Sequence, residues 1–336
     1  MATFNTLTFP EFTDLVSRKF QQEKDSLAIE LRGAGIYKMV DWPDGTGATR
    51  RFGEIDNEEY AKDMPEGQTA AVTTPQYGYE KDMELVRRGL DIEATFQMRK
   101  YNKEQEILSR LTSLGRTVDN RMELDLAHRF TFASATSYTD QDGNTINTTV
   151  GDGLALASTA HTLSGSATTY RNILANNPQF SPTALEAMEL MVVENSYNLF
   201  GQKVAHDMDI LWTTDDPTTC RAAKQLLQSS ADVSAPNAGV TNTFMANYRH
   251  VKISRLATDA NGAVNSSKKK YWGLVSSRIF AAYLAVTEES HVNAPQMGSN
   301  AEDISTDVWR YAARGSYGIC IVSGRGFAIS YGDGTA

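Results

Sequence analysis

The sequence predicts an α+β fold built around one long helix. Apolar residues recur every three or four positions from Tyr101 to Ala133, which is the period of a helix. Apolar residues that alternate between 308 and 329 are typical of strands. A polar, glycine-punctuated stretch inside 36–95 is unusual for a globular domain and indicates an extended hairpin.

The long helix, predicted over 101–133, has an apolar stripe and a start signal. Asn102 and Gln105 resemble a capping box, in which side chains satisfy free backbone amides. The apolar stripe consists of Ile107, Leu111, Leu114, Val118, Met122, Leu126 and Phe130. Charged residues on the opposite face include Arg110, Arg116, Asp119 and Arg121. Such a helix would be about 45 Å long. It needs packing along its whole stripe, so we expect the rest of the chain to lie along it.

Composition and charge exclude several classes of protein. The 336 residues are 41% hydrophobic and 22% charged, as in ordinary globular proteins. No apolar run approaches the length of a membrane helix, and the first residues do not resemble a secretory signal. Cys220 and Cys320 stand alone, which fits a reducing compartment. A net charge of −9 argues against binding nucleic acid broadly through its phosphates.

The first 95 residues read as an arm followed by an extended hairpin. Within 1–35, Phe12, Leu15, Val16 and Phe20 predict a short amphipathic helix. Segment 36–95 predicts an out-and-back β-hairpin with a long, poorly buried tip, which we expect to rest on a neighbouring subunit. The candidate residues for contacts between subunits are Arg50, Arg51, Glu54, Glu58, Lys62, Lys81, Arg87 and Arg88.

The second half predicts a mixed α/β region and a closing tail. Ser181-Pro182 and Asp216-Pro217 each open a helix, with proline at the first helical position. Short apolar strands are expected over 209–213, 251–256 and 271–275. The tail predicts a long antiparallel hairpin joined by Ser323-Gly324-Arg325-Gly326, a natural partner sheet for the long helix.

The residues offer one candidate for catalysis and none for a metal or cofactor. Ser158 and His161 lie close together, and Asp152 could orient the histidine in a hydrolase. No nucleophile elbow is present, however, and neighbours in one segment rarely form a triad. A turn in which hydroxyl groups bond the backbone is the favoured interpretation. No histidine is spaced as a metal ligand with another histidine or a cysteine. We therefore expect no enzyme and no cofactor.

Segment 151–161 carries a resemblance to a known family. Its sequence, Gly-Asp-Gly-Leu-Ala-Leu-Ala-Ser-Thr-Ala-His, is similar to Asp-Gly-x-x-Leu-x-Ser-x-x-His, found after the long helix of many tailed-bacteriophage major capsid proteins, including Mu-like head subunits. It departs from that pattern at Ala157, where an aromatic residue is commoner, and at Thr162, where proline often follows. The order of the predicted parts also resembles the Hong Kong 97-type capsid fold.

The resemblance implies a division of the chain into named parts. These are an N-terminal arm (1–35), an extended loop (36–95), a peripheral lobe with its spine helix (96–165), an axial lobe (166–300) and closing strands that return to the peripheral lobe (301–336). Some family members form a cross-link from a lysine in the extended loop. Lys62 and Lys81 lie in the matching region, but no motif marks either, so this chemistry is not carried over.

The function implied is that of a structural major capsid protein. It would form hexamers and pentamers of an icosahedral shell that encloses double-stranded DNA without sequence-specific binding. Its expected partners are copies of itself, a separate scaffolding protein, a portal and a decoration protein, with assembly in the host cytoplasm and final location in the virion. Two alternatives stay open: an encapsulin-type compartment shell of the same fold, and a soluble α+β hydrolase using Ser158 and His161.

Overall fold

The computed structural model describes residues 9–334, except for 26, 28, 44, 57–58, 96, 98–105, 107–108, 111–112, 232–239 and 294–307. The fold is α+β. The helices are α1 (Phe9–Asp25), α2 (Thr117–Thr131), α3 (Pro182–Glu194) and α4 (Pro217–Gln228). The strands are β1 (Lys38–Met39), β2 (Thr49–Asp56), β3 (Gln76–Glu84), β4 (Val86–Thr95), β5 (Ser137–Thr139), β6 (Thr145–Asn147), β7 (His161–Leu163), β8 (Ser166–Tyr170), β9 (Ile210–Thr214), β10 (Arg249–Ile253), β11 (Trp272–Val275), β12 (Ala282–Asn293), β13 (Val308–Ile321) and β14 (Phe327–Ser330).

Two four-stranded sheets form the body of the molecule. The first has the order β1-β12-β13-β4, and only its β1–β12 pair is parallel. The second has the order β10-β9-β11-β14, with β10 parallel to β9. Three two-stranded ribbons, β2-β3, β5-β6 and β7-β8, complete the strand pairing among the described residues.

The main core joins both sheets to α2. Phe130 of α2 has its ring 5.4 Å from that of Trp212 on β9 and 5.3 Å from that of Phe327 on β14. Leu284 of β12 and Tyr317 of β13 belong to the same buried cluster. A second buried cluster lies on the other face of the second sheet, beneath α3 and α4. Burial on both faces explains why β9 reads as a continuous apolar run rather than an alternating one.

The helix predicted over 101–133 is interrupted. Residues 113–114 are helical, a turn follows at 115–116, and α2 then runs from Thr117 to Thr131. Gly115, which has no Cβ, lies at this turn, and an added Cβ there would be 2.8 Å from the Phe20 carbonyl oxygen of α1. The proposed cap at Asn102 and Gln105 lies outside the described residues.

The stripe on the described part of this helix is buried, as its spacing predicts, from Leu114 to Phe130. The charged face is buried in part: Asp119 and Arg121 are largely covered, whereas Arg110 and Arg116 remain about half exposed. Glu123 accepts hydrogen bonds from the backbone amides of Leu31 (2.9 Å) and Arg32 (3.2 Å). Arg121 pairs with Asp125 at 3.0 Å. The rest of the chain therefore surrounds α2 instead of covering a single stripe.

The two predicted helix starts are confirmed. Ser181 caps α3, because its side chain accepts a hydrogen bond from the Ala184 amide at 3.1 Å. Asp216 caps α4 in the same way, through the Thr219 amide at 3.0 Å. Both helices begin with proline, whose missing amide is not needed there.

The tail does not form the predicted hairpin. β13 joins the first sheet, between β12 and β4, whereas β14 pairs antiparallel with β11 at the edge of the second sheet. The turn through Gly324 and Gly326 therefore carries the chain from one sheet to the other. Alternation of apolar residues predicts that β13 and β14 are strands, but it does not show whether they pair with each other. Each of them pairs instead with strands elsewhere in the sequence.

The predicted out-and-back hairpin within 36–95 is confirmed as the ribbon β2-β3. Its register runs from Thr49 opposite Glu84 to Asp56 opposite Gln76. The remainder of this region is part of the body, because β1 and β4 belong to the first sheet. The hairpin leaves the body between these two strands.

Candidate interaction surface

The end of the hairpin is an exposed loop, residues 59–75. Three of its large hydrophobic side chains are exposed to solvent, Tyr60 by 59%, Met64 by 62% and Val72 by 91%. Glu59 pairs with Lys62 at 3.0 Å. Exposed apolar side chains grouped on one segment mark a contact surface for another molecule.

The stem of the hairpin is fixed to the body by a buried ion-pair cluster. Arg325, in the turn before β14, lies 3.2 Å from Glu54 and 3.6 Å from Asp56, both on β2. The side chains of Arg325 and Glu54 are only 13% and 10% exposed. Burial raises the pKa of Glu54, although Arg325 and Ser323 act in the opposite direction. This pairing ties the hairpin to the strand connection between the two sheets.

Further hydrogen bonds reinforce this attachment. Asp56 accepts one from the Leu199 amide at 3.0 Å, and Gln202 accepts one from the Tyr60 amide at 3.1 Å. The hydroxyl groups of Tyr79 and Thr162 are 2.8 Å apart. The hairpin was expected to lack burial within its own subunit, but its stem is anchored there. The loop beyond Tyr60 is exposed throughout its described residues, whereas the stem strands alternate between exposed and partly covered positions.

Segment 151–161 forms turns around the buried side chain of His161. Asp152 Oδ2 lies 2.7 Å from Nδ1 of His161, and the Leu156 carbonyl oxygen lies 3.1 Å from Nε2. Burial acts to raise the pKa of Asp152, but hydrogen bonds from His161 and from the Leu154 amide outweigh it and lower that pKa.

This geometry does not form a nucleophile–base pair. The oxygen of Ser158 accepts a weak hydrogen bond from the Ala160 amide at 3.3 Å, which is the turn favoured by the sequence. Both ring nitrogens of His161 face other groups, and its side chain is 0% exposed. Asn172 closes the turn by accepting from the Ser158 amide at 2.8 Å. The arrangement stabilises a loop.

A cleft of about 330 Å³ lies between the start of the hairpin and the end of α2. Its lining includes Lys81 of β3, Arg88 of β4 and Arg129 of α2. Burial, together with the neighbouring charge of Arg129, lowers the pKa of Lys81 to about 8. Arg88 lies within 3.7 Å of both Asp125 and Asp140.

Most of the candidate contact residues are paired within the subunit. Arg51 lies 2.8 Å from Asp82, and Arg87 lies 3.0 Å from Glu288. Arg50 donates to the Asp41 carbonyl oxygen at 3.1 Å. Glu58 lies outside the described residues. The exposed members of the set are Arg51, Lys62 and Arg87, whereas Glu54 and Arg88 are buried in ion pairs.

The described residues show no group of histidine, cysteine, aspartate and glutamate side chains that could hold a metal ion. Cys220 and Cys320 are free and buried, and burial raises the pKa of Cys320 to about 11. In the part of the chain with described structure, no helix combines the length and apolarity needed to cross a bilayer.

Two functional side chains were not identified from the sequence. Arg325 was interpreted only as part of a glycine turn, because its partner Glu54 is 271 residues away in the chain. Arg129 was counted within the helix, and Lys81, which lines the same cleft, is distant from it in the sequence. No local pattern marks either residue.

No family model matches the sequence, and no curated protein matches it significantly. Several solved structures are similar over most of the chain. The capsid of cyanophage P-SCSP1u is 13% identical, with a TM-score of 0.48 over 93% of this chain and 94% of that chain. The capsid of Ralstonia phage GP4 is 13% identical, with a TM-score of 0.47 over 88% and 87%. The virus-like particle from Pyrococcus furiosus is 9% identical, with a TM-score of 0.45 over 95% and 99%.

Two of these structures are phage capsids and the third is a virus-like particle. Identities and TM-scores this low leave the function to be inferred from the chain's own residues.

Proposed function

We propose that this protein is a structural shell subunit, the major capsid protein of a tailed bacteriophage. Copies assemble into the hexamers and pentamers of an icosahedral shell that encloses double-stranded DNA. The observation that supports this most is the loop 59–75, whose apolar side chains stay exposed at the end of an anchored hairpin. Permanent interfaces between subunits bury about 2,000–5,000 Å², and a projecting loop supplies such area.

The charge of the chain is compatible with enclosing DNA. With a net charge of −9, a shell of this protein repels the phosphate backbone more than it binds it. DNA could then be packed inside without being held on the wall. The resemblance of segment 151–161 to capsid proteins supports the same function, and its buried Asp152–His161 pair gives that segment a structural role.

Each segment of the chain corresponds to one part of the shell subunit. The N-terminal arm comprises residues 1–35, and the extended loop region comprises 36–95. The peripheral lobe comprises 96–165 and the axial lobe 166–300. The closing strands comprise 301–336. Arg51, Lys62 and Arg87 are exposed on or beside the hairpin and meet neighbouring subunits. A scaffolding protein, a portal and a decoration protein complete the particle, which assembles in the host cytoplasm.

Shortening the hairpin tests this function. Because Asp56 pairs with Gln76, residues 57–75 can be replaced by Asn-Gly, which closes a two-residue hairpin turn. We expect a soluble, folded subunit that no longer forms closed shells, whereas the unaltered chain forms them. Electron microscopy shows the particles, and circular dichroism checks the fold. Normal shells from the shortened chain would refute the role of the loop.

A matched control removes an exposed apolar side chain elsewhere. Val264→Ser alters a residue that is also solvent-exposed but lies outside the hairpin, and it should assemble normally. The contents of the particles separate a virus from a compartment, since packaged DNA supports the first and a bound cargo enzyme the second. Ser158→Ala should leave assembly intact. Loss of a measured hydrolysis in that variant would support an enzyme instead.

A further inference from the structure

The cleft beside the end of α2 holds two cationic side chains without a carboxylate partner. Lys81 donates to the Thr149 carbonyl oxygen, and Arg129 donates to that of Asn147 at 2.7 Å. Within the described residues, neither side chain has a carboxylate oxygen within 4.0 Å. The buried Nε of Arg129 has no hydrogen-bond partner.

The carboxylates around the cleft are occupied or exposed. Asp82 pairs with Arg51 at 2.8 Å. Asp125 accepts from Arg121 at 3.0 Å and from the Tyr317 hydroxyl at 2.7 Å. Glu84 lies exposed at the rim, more than 4.0 Å from the nitrogen atoms of both cations. The two cations therefore repel each other in a partly desolvated cleft, where an entering anion would be held strongly.

The repulsion between the two cations also affects the pKa of Lys81. Burial, together with the charge of Arg129, lowers this pKa to about 8. A carboxylate between the two side chains would remove the unfavourable interaction. Carboxylates bound by arginine form strong, directional hydrogen bonds. The cleft, about 330 Å³ in volume, is large enough for an acidic side chain.

The exposed loop 59–75 carries carboxylates that have no cationic partner within the described structure. Its lysine is used internally, because Lys62 pairs with Glu59 at 3.0 Å. Asp63 and Glu66 remain exposed and form no ion pair within the described structure. A tight turn presents Glu66, since the Gln68 amide donates to the Pro65 carbonyl oxygen at 3.1 Å and Gly67 has a φ of 79°.

Within one subunit the loop is not in the cleft. Lys81 pairs with Phe52, whereas the loop starts beyond the pair Asp56–Gln76, about 17 Å farther along β3. Tyr60 then bonds Gln202 and Lys203 on the body. Two unpaired carboxylates on the loop thus match two unpaired cations that the loop of the same copy does not contact.

We propose that this cleft is the docking site for the loop of a second copy, with Asp63 and Glu66 of one subunit pairing with Lys81 and Arg129 of the next. This inference rests on the proposed shell function and names the surface that receives the hairpin. It also explains why a soluble subunit keeps a cation pair partly buried without a counter-charge.

The loop variant Asp63→Asn/Glu66→Gln tests the pairing, because both residues are exposed and their replacement does not disturb the core. We expect association between subunits to weaken by about tenfold or more at physiological salt, as loss of two partly desolvated ion pairs implies. Sedimentation velocity of the full chain measures this. The control variant Glu186→Gln/Glu194→Gln makes the same charge change on the exposed face of α3 and should associate like the unaltered protein.

A disulfide trap identifies the two copies directly. In the variant Glu66→Cys/Asn147→Cys, mild oxidation should link different chains, which a non-reducing gel resolves as covalent dimers and larger species. The natural cysteines are buried and do not interfere. Bonds formed only within one chain, or no bond at all in assembled protein, would overturn the docking site.

The same experiments separate this inference from the proposed function. If the unaltered chain forms shells and the loop variant forms them equally well, the docking site is wrong and the shell function stands. If the unaltered chain never associates under any condition, the shell function itself fails.

Discussion

At the scale of single residues, the buried pair Asp152–His161 sets the conformation of the segment that resembles capsid proteins. The carboxylate accepts from His161 at 2.7 Å and from the Leu154 amide at 2.9 Å. The imidazole stacks on Tyr170 at 5.0 Å between ring centroids. These contacts hold the imidazole in place, whereas its neighbour Ser158 had suggested a catalytic base.

Replacing Asp152 by asparagine should lower the free energy of unfolding by about 2 kcal/mol at pH 7, because hydrogen bonds to a charged group are lost. A carboxyl group with a lowered pKa stabilises the folded state above its unfolded pKa, and this contribution is lost as the pH falls through the folded-state value. The difference between the two proteins should therefore shrink below about pH 4. Urea unfolding at several pH values measures it.

The control for this measurement is Asp41→Asn, which alters an exposed aspartate and should leave stability unchanged at either pH. A difference between Asp152→Asn and the unaltered protein that stays constant from pH 7 to strongly acidic pH would contradict the assigned role of the carboxylate.

At the scale of elements, the hairpin β2-β3 is held by Arg325, which lies on neither of its strands. Phe52 of β2 also stacks on Tyr283 of β12, with ring centroids 4.9 Å apart. The hairpin is therefore a rigid projection from the body. A rigid stem presents the exposed loop in one direction and reduces the entropy lost when the loop binds a partner.

Arg325→Leu should destabilise the protein by about 3 kcal/mol, because it leaves Glu54 and Asp56 buried without their cation. Amide hydrogen exchange should rise first in β2, since the stem loses its attachment. Adding Glu54→Gln to the same chain should recover part of the stability by removing a buried charge. Urea unfolding and exchange measurements report both effects.

The matched control is Arg51→Leu, which breaks an exposed ion pair on the same hairpin. Exposed pairs contribute little, so its unfolding should be nearly unchanged. Equal behaviour of the Arg51 and Arg325 variants would show that the buried cluster does not hold the hairpin.

The elements that could be predicted from the sequence are those with local signals. Ser181 and Asp216 cap helices through contacts within three residues, and the period of the apolar stripe from Leu114 to Phe130 marks the buried side of α2. The hairpin was also predicted, because its polar tip lacks core residues.

The features that were missed depend on contacts distant in the sequence. The helix is interrupted at 115–116, where α1 lies close to Gly115. β14 belongs to the second sheet, where it pairs antiparallel with β11. The Arg325 cluster and the cleft at Lys81 and Arg129 each bring together side chains from separate parts of the chain, and no spacing in the sequence reports them.

At the scale of the whole molecule, the subunit is a well-packed body with an incompletely satisfied surface. Its two sheets and α2 share one core, while the loop 59–75 remains exposed and the cleft at Arg129 lacks a counter-charge. A loop and a cleft of complementary charge on the same chain allow head-to-tail contacts, and such contacts close into rings when the rotation between copies permits. In the proposed shell, rings of this kind would be the capsomers.

Electron microscopy of the purified chain, over a range of protein concentrations at neutral pH, tests this account most directly. We expect closed shells of uniform diameter, or rings of five and six subunits that become shells when scaffolding protein is supplied. Monodisperse monomers at every concentration, with or without that partner, would contradict it.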